Sequence, residues 1–588
     1  MVRRLSVEYE TIFHSADLCV VGGGMAGFCA AVAASRHGAK VVLMQERPML
    51  GGNASSEIRM WICGAHGANN RETGILEEIM LENLYRNPAL NFHIWDGILL
   101  EWAQREENLT LLLNCTCTSC EMSGSRIASV TGWQMTTQTW RKVEAKLFAD
   151  CSGDSVLAPL SGAKFRVGRE ARSEFDEDIE PEQADRHTMG LSLLIQAREQ
   201  SRPCGFTPPG WAYHFTAEQL HHRLPNMEDP MENFWYLELG GMGDSIADTE
   251  KIRDELLKTA YGVWDYVKNA PENKEKNKYW QLDFLGILPG KRESRRYEGD
   301  LMLNQRQVQA GGVFPDVVAY GGWPMDDHDP MGFHGQAHPN VNHPTPAPYG
   351  IPYRCLYSRN VENLLFAGRN ISATHAAMSS TRVMGTCAIL GQAVGAAAAL
   401  ALQVETSPRG VYETQMDQLQ QTLLWDDCFL PGIPRKVSPL ALRARLDPAH
   451  EPLRRGRDRD RAGEEAGVSL EKGARVEYHL EKPAFVREAR VIFDSFLDRE
   501  LLNRLPLRNM LCNRARNLPE ARLPESLVRA YRLEAVTATG ERLLLAEDDQ
   551  SHCRRLCVPV NAEISALRLT CLDTWGAEKC RVFSFDFR

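Results

Sequence analysis

Apolar and small residues set the first pattern in the chain. Asp17 to Val21 (DLCVV) is a short, largely apolar run that predicts a strand. Ala26 to Arg36 is Ala-rich and helical in character, with Gly38 where a helix would stop. Lys40 to Met44 (KVVLM) is a second apolar run, ending at Gln45-Glu46. Strand, helix and strand span 30 residues from Asp17 to Glu46, the length of a βαβ unit. Further along, LTLLLN is a strand that pairs with RIASVTGW, Leu147 to Asp154 is a strand ending in a turn, and Leu364 to Phe366 is a late buried strand. Met384 to Ala401 predicts a buried helix rich in Ala and Gly. After Arg475 the pattern becomes alternation. Val476–Leu480, Ala489–Asp494, Leu527–Leu533, Ile564–Leu569 and Arg581–Asp586 predict short strands separated by turns, as in a β-sandwich.

The turn after the first strand carries the clearest chemistry. Gly22-Gly23-Gly24-Met25-Ala26-Gly27 is a G-x-G-x-x-G segment placed between strand and helix. Gly22 permits a tight turn, Gly24 lets backbone approach a pyrophosphate, and Gly27 lets helix and strand pack closely. The helix start at Met25 and Ala26 offers free N–H groups and a positive dipole end to phosphates. Glu46 falls at the end of the second strand, where a carboxylate accepts from ribose hydroxyls. Together these residues predict a dinucleotide site.

The next segment narrows the cofactor. Arg47-Pro48-Met49-Leu50-Gly51-Gly52-Asn53-Ala54-Ser55-Ser56 resembles the ERxxxGGxxS segment of flavoproteins of the glutathione-reductase-like superfamily. That resemblance implies that Glu46 holds the adenosine ribose of FAD, with Arg47 beside it among the cofactor-binding residues. It places Gly51, Gly52, Asn53 and Ser55 along the diphosphate and ribityl chain. Two more segments extend it. LFADCSGD, ending at Asp154, resembles an ATG(D)-type turn, and the run through Gly368-Arg369 resembles the late strand whose closing Gly meets the ribityl chain. In the same reading the helix from Met384 aims its start, with Gly385 and Thr386, at the flavin pyrimidine edge, and Gly391 and Gly395 suit close packing on the cofactor or on another helix.

The chain therefore resembles FAD-dependent oxidoreductases that look like succinate dehydrogenase, fumarate reductase and aspartate oxidase flavoproteins, over residues 15–405. The expected fold is an α/β Rossmann-like FAD-binding domain with an inserted α+β substrate domain, plus a C-terminal β-sandwich that is galactose-binding-like. The expected boundaries are 1–164 and 351–405 for the FAD domain, 165–350 for the substrate domain, 406–470 for a connecting segment and 471–588 for the sandwich. No counterpart of the SHT segment that binds FAD covalently is present, His66 lying too late, so noncovalent FAD is expected.

Composition excludes other classes. The chain has 588 residues, 43 % hydrophobic and 24 % charged, which is ordinary for a globular protein and unlike a disordered or fibrous one. Its net charge of -10 makes it a poor nucleic-acid binder. Sixteen Cys over this length are too few for a disulfide scaffold and read as reduced thiols. C-x-C-x-x-C at Cys115, Cys117 and Cys120 lacks the fourth thiolate of an iron–sulfur cluster and reads as strand and turn. Basic residues before the first strand have no apolar leader-like run behind them, and AVGAAAALAL is too short to span a bilayer. A cytoplasmic protein with no membrane partner is expected, and a homo-oligomer is possible.

The substrate side is less defined. Ser173 to Asp185 is acidic and reads as a solvated loop, as does the mixed-charge run Arg454 to Glu465. Pro289 to Arg296 resembles a G-x-R-E-[ST]-R-R segment of the family, with Arg292, Arg295 or Arg296 either lining the pocket or salt-bridging at the surface. Gly321 to Tyr353 holds seven prolines and four histidines, His328, His334, His338 and His343, beside Asp326, Asp327 and Asp329. The prolines exclude a regular helix or central strand. The histidine spacings fit no standard metal site, so a substrate-facing loop is preferred and no metal is expected. The candidate catalytic groups are His328, His334, His343 and His375 as base, with Arg354 and Arg382 orienting an anionic or polyhydroxylated substrate. The expected reaction moves a hydride between flavin and a small polar, saccharide-like molecule, with an unassigned electron acceptor. The alternatives are a reductase or dehydrogenase of a small carboxylate and a non-catalytic flavin-binding module.

Overall fold

The computed structural model describes residues 8–461, 463–498, 500 and 510–588. The basic residues that open the chain, and Ala462 in the mixed-charge run, lie outside the described residues. The chain forms two compact units. One comprises the described residues within 1–64, 91–419 and 510–518, the other those within 65–90, 420–509 and 519–588.

The first unit is built on β1 (Thr11–Val21), α1 (Met25–Arg36), β2 (Val41–Met44), β3 (Leu109–Leu112), β4 (Cys115–Ser123), β5 (Arg126–Gln134) and β6 (Thr139–Asp150). Among the described residues seven strands make its sheet, in the order β3-β2-β1-β6-β5-β4, with Leu364–Phe366 also paired to β6. β1 runs parallel to β2 and to β6, and Val21 is in register with both Met44 and Asp150. Leu364–Phe366 is parallel to the last part of β6, with Phe366 opposite Asp150. β5 is antiparallel to the first part of β6. The parallel strands thus end side by side at Val21, Met44, Asp150 and Phe366, and ligands of open α/β sheets bind off such ends.

The strands at the centre are apolar on both faces because helices cover them. α1 is buried from Met25 to Ser35, and the helix Met384–Gln403 crosses it. A Cβ on Gly391 would collide with the Ala26 carbonyl, and one on Gly395 with the Ala30 carbonyl. These two glycines lie against α1, so their small size serves a helix crossing. Met384–Gln403 is also the one described helix long and apolar enough to cross a membrane, and 94 % of its apolar window is buried in the protein.

The middle of this unit folds around the helix Thr249–Asn269, which buries Leu256, Ala260, Val263 and Val267 at helical spacing against Leu193, Ile195 and Phe234. The proline-rich stretch forms a two-stranded ribbon, Met325–His328 against Asn340–His343, with Met325 opposite His343 and His328 opposite Asn340. Pro324, Pro330, Pro339 and Pro344 each flank a strand of this ribbon, where a missing N–H costs the ladder nothing. The acidic stretch is only partly solvated. Glu177 and Glu180 are buried, and Glu177 accepts from Gln305 N at 2.6 Å and Thr374 Oγ1 at 2.7 Å.

In the second unit, among the described residues, six antiparallel strands follow the order 468–471, 579–587, 475–493, 555–574, 528–537, 542–548. Val476, Val491, Leu533, Leu567 and Phe585 fill its core, and Tyr478 stands edge-on to Phe585 and Phe587. The mixed-charge run is not simply a solvated loop. Asp458 takes Arg490 at 2.8 Å, and buried Arg459 donates to Asn69 O at 3.1 Å, Arg71 O at 3.0 Å and Thr73 Oγ1 at 2.7 Å. The sixteen cysteines stand outside any disulfide, and twelve of them are buried.

Candidate active site

A long cleft runs off the ends of β1, β2 and β6 and holds about 1320 Å³ of empty space, open solvent included. Gly22, Gly24, Met25 and Ala26 line it from the first turn, Glu46 and Arg47 from the end of β2, and Gly51, Gly52 and Asn53 from the segment that follows. Asp154, Gly368 and Arg369 line it as well.

The glycines are required by close approach. Gly22 has φ +99°, and a Cβ there would meet Ser152 backbone at 2.5 Å. A Cβ on Gly27 would strike the Gly22 carbonyl, so Gly27 holds α1 against the turn and does not itself line the cleft. Gly24 differs: a Cβ there would meet only Gly52 Cα at 3.8 Å, so the space over it is open. Gly51 N donates to Gly23 O at 2.9 Å and Gly23 N to Gln45 Oε1 at 2.7 Å, which locks the second glycine pair beside the first.

This cradle fits FAD. Backbone alone forms the floor at Gly24 and Gly52, no side chain caps α1, and the Glu46 carboxylate stands at the far end of β2. Buried polar atoms around it lack protein partners: Arg47 Nε beside Glu46, and Ser55 Oγ, Thr386 Oγ1 and Arg382 Nε. Ser55, Gly385 and Thr386 do not line the cleft itself; Met384 and Cys387 do. Gly385 N donates to Cys63 O at 2.8 Å. Asp154 is occupied by protein cations, Lys291 Nζ at 2.8 Å and Arg369 Nη2 at 2.7 Å. Burial opposes its ionisation, but Arg369 and Lys291 outweigh burial and hold the carboxyl well below its ordinary value.

The cleft continues into an inner cavity of about 600 Å³, solvent included, which shares Asn53, Ile58, Lys291, Arg369, Arg382 and Met384 with it. Ser192, Arg292 and Arg382 supply polar groups, and Met60, Trp61, Leu194 and Val383 supply an apolar wall. Arg292 Nη1 donates to Ser192 Oγ at 2.8 Å, and its Nη2 to Trp235 O at 3.0 Å.

The histidine candidates stand elsewhere. His328 is sealed between Glu238 and Asp326 and does not line the cavity. His375 is 2 % exposed, with Nδ1 at 2.9 Å from Glu293 and Nε2 at 3.1 Å from Asp327. Burial lowers its proton affinity, but Glu293 and Asp327 prevail and raise it well above the ordinary imidazole value. A cationic ring with both nitrogens engaged has no lone pair for a substrate proton. His334 is exposed and His343 half-buried on the ribbon, and neither lines cleft or cavity. Arg354 grips Asp316 through two bonds of 2.9 and 3.0 Å and is likewise away from the cavity. Among the catalytic candidates, Arg382 alone reaches the inner cavity. Ser192, Trp61 and Met60 line it without a motif in the sequence to mark them.

Comparison with known proteins agrees with the cofactor. A family model described as FAD dependent oxidoreductase matches residues 17–423. Two curated proteins named fumarate reductase (cytochrome), from Shewanella frigidimarina, are 52 % identical over 49 residues, which is 8 % of this chain and 8 % of theirs. Among solved structures, a geranylgeranyl bacteriochlorophyll reductase-like protein from Thermoplasma acidophilum is 15 % identical, with a TM-score of 0.33 over 71 % of this chain and 84 % of that one. The E. coli quinol fumarate reductase FrdA is 12 % identical, with a TM-score of 0.28 over 71 % and 75 %.

Proposed function

The chain belongs to the family of FAD dependent oxidoreductases, and from that premise we propose that it exchanges a hydride with a small carboxylate held by Arg292 and Arg382. The observation that carries the carboxylate is the inner cavity itself. Arg292, Arg369, Arg382 and Lys291 line it with the Ser192 hydroxyl at the end of the FAD cleft, where an anion would lie beside the cofactor, and of these cations Arg292 and Arg382 are the ones not tied to Asp154. Guanidinium forks suit carboxylates geometrically as well as by charge. This favours the carboxylate reading over the saccharide one.

Bound FAD supplies the hydride acceptor or donor. The rest falls to the chain. Arg292 and Arg382 orient the carboxylate, Ser192 holds Arg292 in place, and Met60, Trp61, Leu194 and Val383 keep water from the reacting carbon. Lys291 and Arg369, tied to Asp154, fix the floor between cleft and cavity. The same proposal includes a separate electron acceptor, a cytoplasmic location with no nucleic-acid or membrane partner, a homo-oligomeric state, a Rossmann-like first unit, and a galactose-binding-like sandwich in the second that serves packing.

The test is anaerobic. The yellow holoenzyme is mixed with hydroxy acids, amino acids and sugars, and the reduced enzyme with unsaturated carboxylates. Flavin bleaching or recolouring by at least one carboxylate, and by no neutral sugar, is expected. A response to sugars alone contradicts the reading.

A further inference from the structure

The two cavity arginines are joined from behind. Arg382 Nη2 donates to Asp326 Oδ2 at 3.0 Å. The same carboxylate oxygen lies 3.2 Å from His328 Nε2, and Nδ1 of that ring lies 2.6 Å from Glu238 Oε2. Glu238 Oε2 then meets Arg292 Nη1 at 3.2 Å. Arg382, Asp326, His328, Glu238 and Arg292 form one unbroken chain of contacts whose two ends open into the cavity. Its middle is closed off, with His328 only 3 % exposed.

The chain is also fully bonded at its sides. Glu238 Oε1 accepts from Gly190 N at 2.6 Å, Asp326 Oδ1 accepts from Asn340 Nδ2 at 2.5 Å, and Trp235 stands edge-on to the His328 ring at 5.3 Å. Every side-chain nitrogen and oxygen of Glu238, His328 and Asp326 is engaged, so His328 is the link between the two carboxylates.

We propose that His328 is a positioning residue that sets the spacing and aim of Arg292 and Arg382 toward a bound carboxylate. This rests on the reading of the cavity as the substrate site. Both ring nitrogens face carboxylate oxygens, and each of those oxygens also meets a cavity arginine, so the ring fixes how far apart and in what direction the two guanidinium groups stand.

The experiment titrates the FAD-loaded protein with acetate, butyrate and succinate and reads the flavin difference spectrum. The wild type is expected to bind at least one of the three. His328→Gln, whose amide donates on one side only, is expected to keep its FAD content and thermal midpoint and to lose affinity for that carboxylate by about tenfold or more. Glu238→Gln, at the other side of the ring, is expected to do the same and carries the test should His328→Gln not fold. Unchanged affinity in a folded variant overturns the role of His328. A wild type whose flavin responds to none of the three overturns the carboxylate reading beneath it.

Discussion

Asp326 holds Arg382 by two bonds from one nitrogen, 3.0 Å to its carboxylate and 3.1 Å to its backbone carbonyl. Two anchors on Nη2 fix the plane of the guanidinium, and Nε has no protein partner. Replacing the fork with a point charge separates charge from aim. Arg382→Lys is expected to keep FAD content and to raise KM for the carboxylate by about tenfold, with a smaller change in kcat. Steady-state kinetics on the bleaching substrate check it; an unaltered KM would remove Arg382 from the binding set.

Gly24 and Gly27 separate cofactor binding from folding. A methyl on Gly24 points into open space over the cleft floor, whereas one on Gly27 has to displace the Gly22 carbonyl. Gly24→Ala is expected to fold normally and to purify with less FAD. Gly27→Ala is expected to lower the thermal midpoint and to lose FAD with it. Absorbance ratio and calorimetry distinguish the two, and full FAD occupancy in Gly24→Ala would place the diphosphate elsewhere.

Arg354 neutralises Asp316, which is 1 % exposed. Its removal leaves a buried carboxylate without its cation. Arg354→Ala is expected to cost about 3 kcal/mol of stability. Flavin bleaching per bound FAD should stay at the wild-type rate. A selective loss of bleaching, with stability intact, would return Arg354 to the substrate site.

Glu180 gives a pH signature. Burial raises its carboxyl from 4.5 to about 7, and neither oxygen has a hydrogen-bond partner. The folded state therefore holds this proton more tightly than the unfolded chain. Its contribution is greatest below pH 4.5, declines as pH rises toward 7 and is level above that, on the order of 3 kcal/mol in all. Glu180→Gln removes the dependence. Unfolding at pH 5 and pH 8 should show wild type losing ground to the variant at the higher pH, and an equal gap at both values would contradict it.

The cofactor side was legible because its constraints are local. Gly22 to Gly27 and Gly51-Gly52 sit within turns, and Glu46 follows its strand directly, so adjacent residues carry the geometry. The substrate side depends on contacts across long stretches of chain. Arg382 meets Asp326 over 56 positions, and His328 meets Glu238 over 90. Nothing in the sequence distinguishes a histidine facing substrate from one sealed between two carboxylates. The Gly321 to Tyr353 stretch is conspicuous in the sequence for its prolines and histidines, yet Asp326 and Asp327 are the residues in it whose side chains engage Arg382 and His375. Likewise Glu177 and Asp458 sit in charge-rich runs that look solvated until a distant partner covers them.

The central claim is that a carboxylate binds Arg292 and Arg382 beside FAD. The most direct measurement is the anaerobic rate of flavin colour change against carboxylate concentration, in wild type, Arg292→Ala and Arg382→Ala with equal FAD loading. Each variant is expected to lose kcat/KM by about a hundredfold or more, through weaker binding of the anion. Equal kcat/KM in all three proteins would show that the carboxylate binds elsewhere.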